Sequence, residues 1–146
     1  MSGAPPATPP APPRPTAAAL RRARRQLDAW FAQREWIPLR FQREVWRRAL
    51  AGGSGLLHTP TGSGKTLAVA GASLLEALAR AESAPATKRR MRAAEAHPLR
   101  LLWITPLRAL ASDTTRALRE PAAALGLDWR VGHRTGDASA RDRRLA

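Results

Sequence analysis

Cysteine is absent from the 146-residue chain, which excludes disulfides and thiolate metal sites and fits a reducing compartment. Acids are scarce, 11 against 25 basic residues, for a formal charge of +14. Lysine is scarcer still: Lys65 and Lys88 are the two, and every other basic residue is arginine. A GC-rich genome would account for arginine over lysine, but not for the shortage of acids. His58, His97 and His133 are scattered without metal-ligand spacing, so none reads as a ligand. No apolar run approaches the ~20 residues that span a bilayer. The start of the chain lacks the apolar segment of a secretory signal. These absences predict a cytoplasmic protein with no membrane partner.

What the chain has is positive charge, and each neutralised phosphate releases counterions, so the expected partners are polyanions. Seven of its 13 prolines precede Thr16, among alanine, glycine and serine. Such a stretch buries no apolar surface, and residues 1–16 are expected to form a disordered Pro/Ala-rich tail. From Ala17 to Gln33 apolar residues Leu20, Leu27, Trp30 and Phe31 recur at helical spacing. A second helix is expected from Arg40 to Ala51, with Phe41, Val45 and Ala49 on its face and Gly52-Gly53-Ser54 ending it. Residues 65–80 read as a third, with Leu67, Gly71, Leu74, Leu75 and Leu78 on one side and alanines elsewhere. Thr105 reads as the N-cap and Pro106 as the first residue of a fourth helix over Leu107–Arg119. Gly55–His58 reads as a short buried strand, and Leu101–Ile104 and Trp129–Val131 read as two further strands. Strand and helix in alternation predict an α/β fold, a partial RecA-like domain of the P-loop NTPase kind with about three parallel strands, preceded by helices.

The strongest chemical signal is Thr59-Pro60-Thr61-Gly62-Ser63-Gly64-Lys65-Thr66. A glycine-rich loop leading into a helix N-terminus turns backbone N–H groups around a phosphate. Gly62 and Gly64 allow backbone angles that a β-carbon would block. Lys65 reaches the β- and γ-phosphates as the catalytic cation, and the Thr66 hydroxyl is the candidate ligand for Mg²⁺. Pro60, Thr61 and Ser63 complete the ATP-binding loop. Thr59 stands where the usual pattern begins with glycine.

The wording Pro-Thr-Gly-Ser-Gly-Lys-Thr resembles that of superfamily 2 DEAD/DEXH-box helicases. With Trp36-Ile37-Pro38, Phe41-Gln42, Thr105-Pro106-Leu107-Arg108-Ala109-Leu110 and Arg134-Thr135-Gly136-Asp137, it resembles the large helicase-related (Lhr) branch. Within that branch it looks like the ligase-associated DEXH-box helicases of bacterial DNA repair. The resemblance covers roughly residues 26–146. It implies that Gln42 reads adenine, which suits an amide able to donate to N7 and accept from the N6 amine; the bland reading is a surface glutamine. Phe41 or Trp36 could pack near the base, though core packing is the favoured reading of both. The resemblance further implies that Thr105, Pro106 and Arg108 contact the nucleic-acid backbone, where N–H groups, a hydroxyl and a cation suit phosphates. Arg134, Thr135 and Gly136 resemble a further nucleic-acid loop, and Asp137 reads equally as a turn residue. Lys88, Arg89, Arg90 and Arg92 form a basic run that reads as a solvated face.

The family needs an acidic pair after a later apolar strand, to hold Mg²⁺ and orient the attacking water. None of the acids after the loop, from Glu76 to Asp142, stands in such a motif. Residues 17–146 are therefore expected to be the N-terminal part of the first RecA-like domain, truncated before the DEXH motif and inactive in hydrolysis alone. The implied parent is an ATP-dependent DNA helicase or translocase of DNA repair, nucleoid-associated, with DNA or else RNA as substrate and a DNA ligase as the partner that the resemblance suggests. The alternatives are an RNA-directed DEAD-box helicase fragment and a non-catalytic nucleotide- or nucleic-acid-binding module.

Overall fold

The computed structural model describes residues 14–83, 99–106 and 108–134. Four helices account for its regular structure: α1 (Ala17–Ala32), α2 (Arg40–Leu50), α3 (Lys65–Ser83) and α4 (Arg108–Ala124). Thr16 caps α1, its hydroxyl accepting from the Ala19 amide at 3.2 Å. Helix α2 stops at Gly52, where φ is +86°. The Gly53 amide reaches back to the Arg48 carbonyl and the Gly52 amide to Ala49, a closure that a left-handed residue makes possible.

Helix α3 is the hub, contacted by α1, α2 and α4. Its alanines at 68, 70, 72 and 79 are buried together with Leu74, Leu75 and Leu78, and small side chains let neighbouring helices come close. The core is completed by Ala19, Ala23, Leu27, Trp30 and Phe31 of α1 and by Trp46 of α2. Phe31 stands edge-on to Trp30, with ring centroids 5.2 Å apart, and 6.0 Å from Trp46. Geometries of this kind add stabilisation beyond the area they bury.

The structure corrects several expectations. The α/β fold with a parallel sheet is not formed: the described residues hold four helices and no strand. Among the described residues the segments 55–58, 101–104 and 129–131 have no ladder partner, and Leu56, Leu102 and Ile104 are 96%, 70% and 84% exposed. A short apolar run favours a strand only where another strand takes up its N–H and C=O groups and another layer covers its side chains. Helix α3 is packed by α1, α2 and α4, not by a sheet, among the described residues. Nor does α2 bury Phe41, Val45 and Ala49: Gln42 and Trp46 are its buried residues, and Ala49 is exposed.

Helix α4 begins at Arg108, so Thr105 and Pro106 precede it rather than forming its cap and first turn. It also runs on through Pro121 to Ala124. An interior proline costs about 3 kcal/mol, but Pro121 and the neighbouring Ala122 are buried, which offsets the lost hydrogen bond. The positions Lys88, Arg89, Arg90, Arg92, Thr135, Gly136 and Asp137 lie outside the described residues.

Candidate functional site

The glycine-rich loop folds as a short turn that delivers the chain into α3. Gly62 and Gly64 have φ of +80° and +84°, the left-handed region in which a side chain is strained. Gly64 is doubly required, because a β-carbon there would stand 2.7 Å from Gln42 Nε2. Its carbonyl takes the first helical hydrogen bond, from Ala68 at 3.0 Å. The amides of the first turn of α3 have no acceptor within the helix, and the turn carries no acidic side chain. An anion placed there meets N–H donors and the positive end of the helix dipole without a competing carboxylate.

Lys65 lies folded over the loop. Its Nζ donates to the Thr59 and Pro60 carbonyls, both at 2.7 Å. These are charge-assisted bonds to neutral acceptors, and phosphate oxygens make stronger ones. The ammonium is thus held where a phosphate entering the loop can take it over. Thr59 and Ser63 join their hydroxyls at 2.7 Å across the loop. At the position usually held by glycine, Thr59 therefore closes the loop through its side chain. Among the described residues the Thr66 hydroxyl makes no hydrogen bond, and it stands in the first turn of α3. The described residues contain no group of three or more acids or histidines able to hold a metal. A single hydroxyl beside a phosphate site is the kind of protein ligand Mg²⁺ takes, since it is bound by one or two protein oxygens, phosphates and water.

Gln42 is 3% exposed and bridges two elements. Its Oε1 accepts from the Leu39 amide at 2.8 Å, closing the N-terminus of α2, and its Nε2 donates to the Gly64 carbonyl at 3.1 Å. One turn on, Trp46 donates from Nε1 to the Leu67 carbonyl at 3.0 Å and lies against Gly71. Residues four apart share a helix face, so Gln42 and Trp46 form a two-point clamp on the start of α3. Sequence reasoning placed Gly71 on the apolar side of the third helix but missed Trp46 and its contact with that glycine. The available signal was a tryptophan four residues after Gln42, paired with a lone glycine among alanines in α3.

The structure thus brings Gln42, Pro60, Ser63, Gly64 and Lys65 together, with Thr61 and Gly62 on the same loop and Thr66 in the first turn of α3. Of the proposed nucleic-acid residues, Thr105, Pro106, Arg108 and Arg134 lie among the described residues. Among the described residues, Thr105 and Pro106 make no hydrogen bond to the loop. Arg108 opens α4. Arg134 ends a segment tied to α4 by Arg119, which donates to the Val131 carbonyl at 2.8 Å, and by the Thr115–His133 contact at 3.4 Å. Phe41 is half-buried and Trp36 half-exposed, the latter 6.0 Å from Trp30.

Comparison with known proteins bears on this geometry. The DEAD/DEAH box helicase family model matches residues 39–146, a span holding the clamp, the loop and the 105–108 segment. The chain is 34% identical over 129 residues to "Lhr helicase/uracil glycosylase" of Escherichia coli (strain K12), covering 78% of this chain and 8% of that protein. It is 33% identical over 125 residues to "Lhr helicase/ probable uracil glycosylase" of Mycolicibacterium smegmatis (strain ATCC 700084 / mc(2)155), covering 79% and 8%. The chain therefore spans about 8% of the length of the curated relatives it matches. No solved structure matches it.

Proposed function

The chain belongs to the DEAD/DEAH box helicase family, and from that premise we propose that it supplies the ATP cradle and part of the nucleic-acid grip of an ATP-dependent DNA helicase or translocase. The observation that carries this reading is the loop itself. Lys65 sits over the Thr59 and Pro60 carbonyls, at the mouth of an acid-free helix N-terminus. In this reading the amides at the start of α3 and Lys65 bind the phosphates, while Thr66 holds Mg²⁺, which neutralises phosphate charge. Gln42 reads adenine from the α2 side. Thr105, Pro106 and Arg108, with Arg134, Thr135 and Gly136, bind the phosphodiester backbone.

DNA as substrate, a role in repair, nucleoid association and a DNA ligase partner belong to the proposal and rest on the resemblance to the ligase-associated branch. No helix among the described residues is long and apolar enough to cross a membrane. An RNA-directed helicase is the second reading. Against it stands Pro106-Leu107-Arg108-Ala109-Leu110, which departs from the Pro-Thr-Arg-Glu-Leu usual in RNA-directed members.

The test is competition between single-stranded DNA and RNA of one sequence for the chain, with Arg108→Ala alongside. Preference for DNA, weakened by Arg108→Ala, supports the reading. Preference for RNA would replace it with the second, and binding of neither would remove both.

A further inference from the structure

Helix α2 has two working faces. Gln42 and Trp46 point to α3 and the loop, whereas Arg40, Arg43, Glu44 and Arg47 follow the i, i+3, i+4, i+7 stripe of another face. With Arg24 of α1 they line a groove of about 540 Å³. We propose that this groove is a second nucleic-acid site, which binds the phosphodiester backbone without reading base sequence. The proposal deepens the helicase reading and rests on it for the class of ligand.

Four guanidiniums and one carboxylate line the groove. Asp28 takes up Arg43 at 3.2 Å, and Glu44 takes up Arg47 at 2.7 Å and Arg48 at 2.6 Å. Arg24 is laid over the Trp46 ring, 5.7 Å from its centroid. Arg40 has no ion-pair partner among the described residues. The groove therefore keeps excess positive charge, with several of its cations already oriented.

Its position adds to that charge. Arg40 is the first residue of α2, whose first turn carries no acid. A cation at this end opposes the helix dipole, at about 0.3–1 kcal/mol, and a bound anion would reverse the sign. Arg40 to Arg47 spans roughly 10 Å along the helix axis, the length of two or three backbone phosphates. Planar guanidinium forks match phosphate oxygens pairwise. No aromatic ring lines the groove, so bases find nothing to stack on and the contact is to backbone alone. An anionic membrane is the weaker candidate, because surface binding of that kind needs apolar side chains to insert beside the cations.

The test uses the unmutated chain and two charge-matched variants. Arginines are modified with phenylglyoxal, with and without a single-stranded DNA oligonucleotide, and located by mass spectrometry. Arg40 and Arg47 should be protected, and the exposed Arg130 should stay reactive. In parallel, oligonucleotide affinity is measured against salt for Arg40→Gln/Arg47→Gln and for Arg116→Gln/Arg130→Gln, which remove equal charge. Each lost phosphate contact lowers the salt slope of log affinity by about 0.7. The groove pair should therefore lower it by about 1.4, and the control pair by much less. Equal losses in the two variants, or an unprotected Arg40 and Arg47 while Arg108→Ala abolishes binding, overturn the groove and leave the helicase reading standing. Binding to anionic vesicles with no affinity for the oligonucleotide overturns both.

Discussion

Trp46 lies so close over Gly71 that a β-carbon at position 71 would stand 2.2 Å from its Nε1 and 2.4 Å from Cε2. Trp46 is fully buried and tied to the Leu67 carbonyl, so neither the ring nor the α3 backbone can move away cheaply. The contact couples α2 to the helix that begins at Lys65.

Gly71→Ala should therefore destabilise the chain. In an open helix interior that change would be favourable by about 1 kcal/mol, whereas overpacking costs about 1–3 kcal/mol. In a Trp46→Leu background the clash is gone and Gly71→Ala should turn neutral or stabilising. Urea unfolding of the four combinations measures the coupling, and the same cost in both backgrounds would show that the contact does not set it.

Lys65→Ala should abolish binding of a fluorescent ATP analogue in the presence of Mg²⁺, while helical content by circular dichroism stays unchanged. Among the described residues the Lys65 ammonium hydrogen-bonds to loop carbonyls, so its loss should remove ligand binding more than fold. A chain of these 146 residues should also release phosphate at no more than the background rate, with or without DNA, because no residue stands in the water-orienting motif. Turnover that disappears in Lys65→Ala would falsify this.

Gln42 uses one N–H and one lone pair of its amide on Gly64 and Leu39. An amide has two of each, so a donor and an acceptor are left for adenine. We expect the chain to bind ATP more tightly than GTP, and Gln42→Ala to erode the difference by about 1–3 kcal/mol, by analogy with bidentate base readout. Equal binding of the two nucleotides before mutation removes adenine reading and leaves Gln42 as a tie between α2 and the loop.

Acid should act on α2 through Glu44. Hydrogen bonds from Arg47 and then Arg48 lower its carboxyl from 4.5 to about 2. A carboxyl depressed on folding contributes stability that is complete above its unfolded value and is lost as pH falls through the folded one. The contribution should therefore decline between about pH 4.5 and 2, and Glu44→Gln should remove that part of the acid titration of helix content. An unchanged titration in the variant would mean that the arginine pair contributes nothing to α2.

The local geometry was legible in the residues themselves. Gly62 and Gly64 announce a left-handed turn leading into a helix at Lys65, because backbone freedom acts within one turn of chain. Helices α1, α2 and α3 follow from apolar spacing and from the Gly52 stop, again over a few residues. Tertiary structure alone decided the rest. Whether Leu56, Leu102 and Ile104 belong to strands depends on partners distant in sequence, and here none is present among the described residues. That Trp46, rather than Phe41 and Val45, is the buried anchor of α2 depends on Gly71 lying opposite it. The groove lined by Arg24, Arg40, Arg43 and Arg47 exists only because α1 and α2 pack side by side on α3. Short-range preferences can be read along a chain, whereas shape matching and charge accumulation arise between segments that only folding brings together.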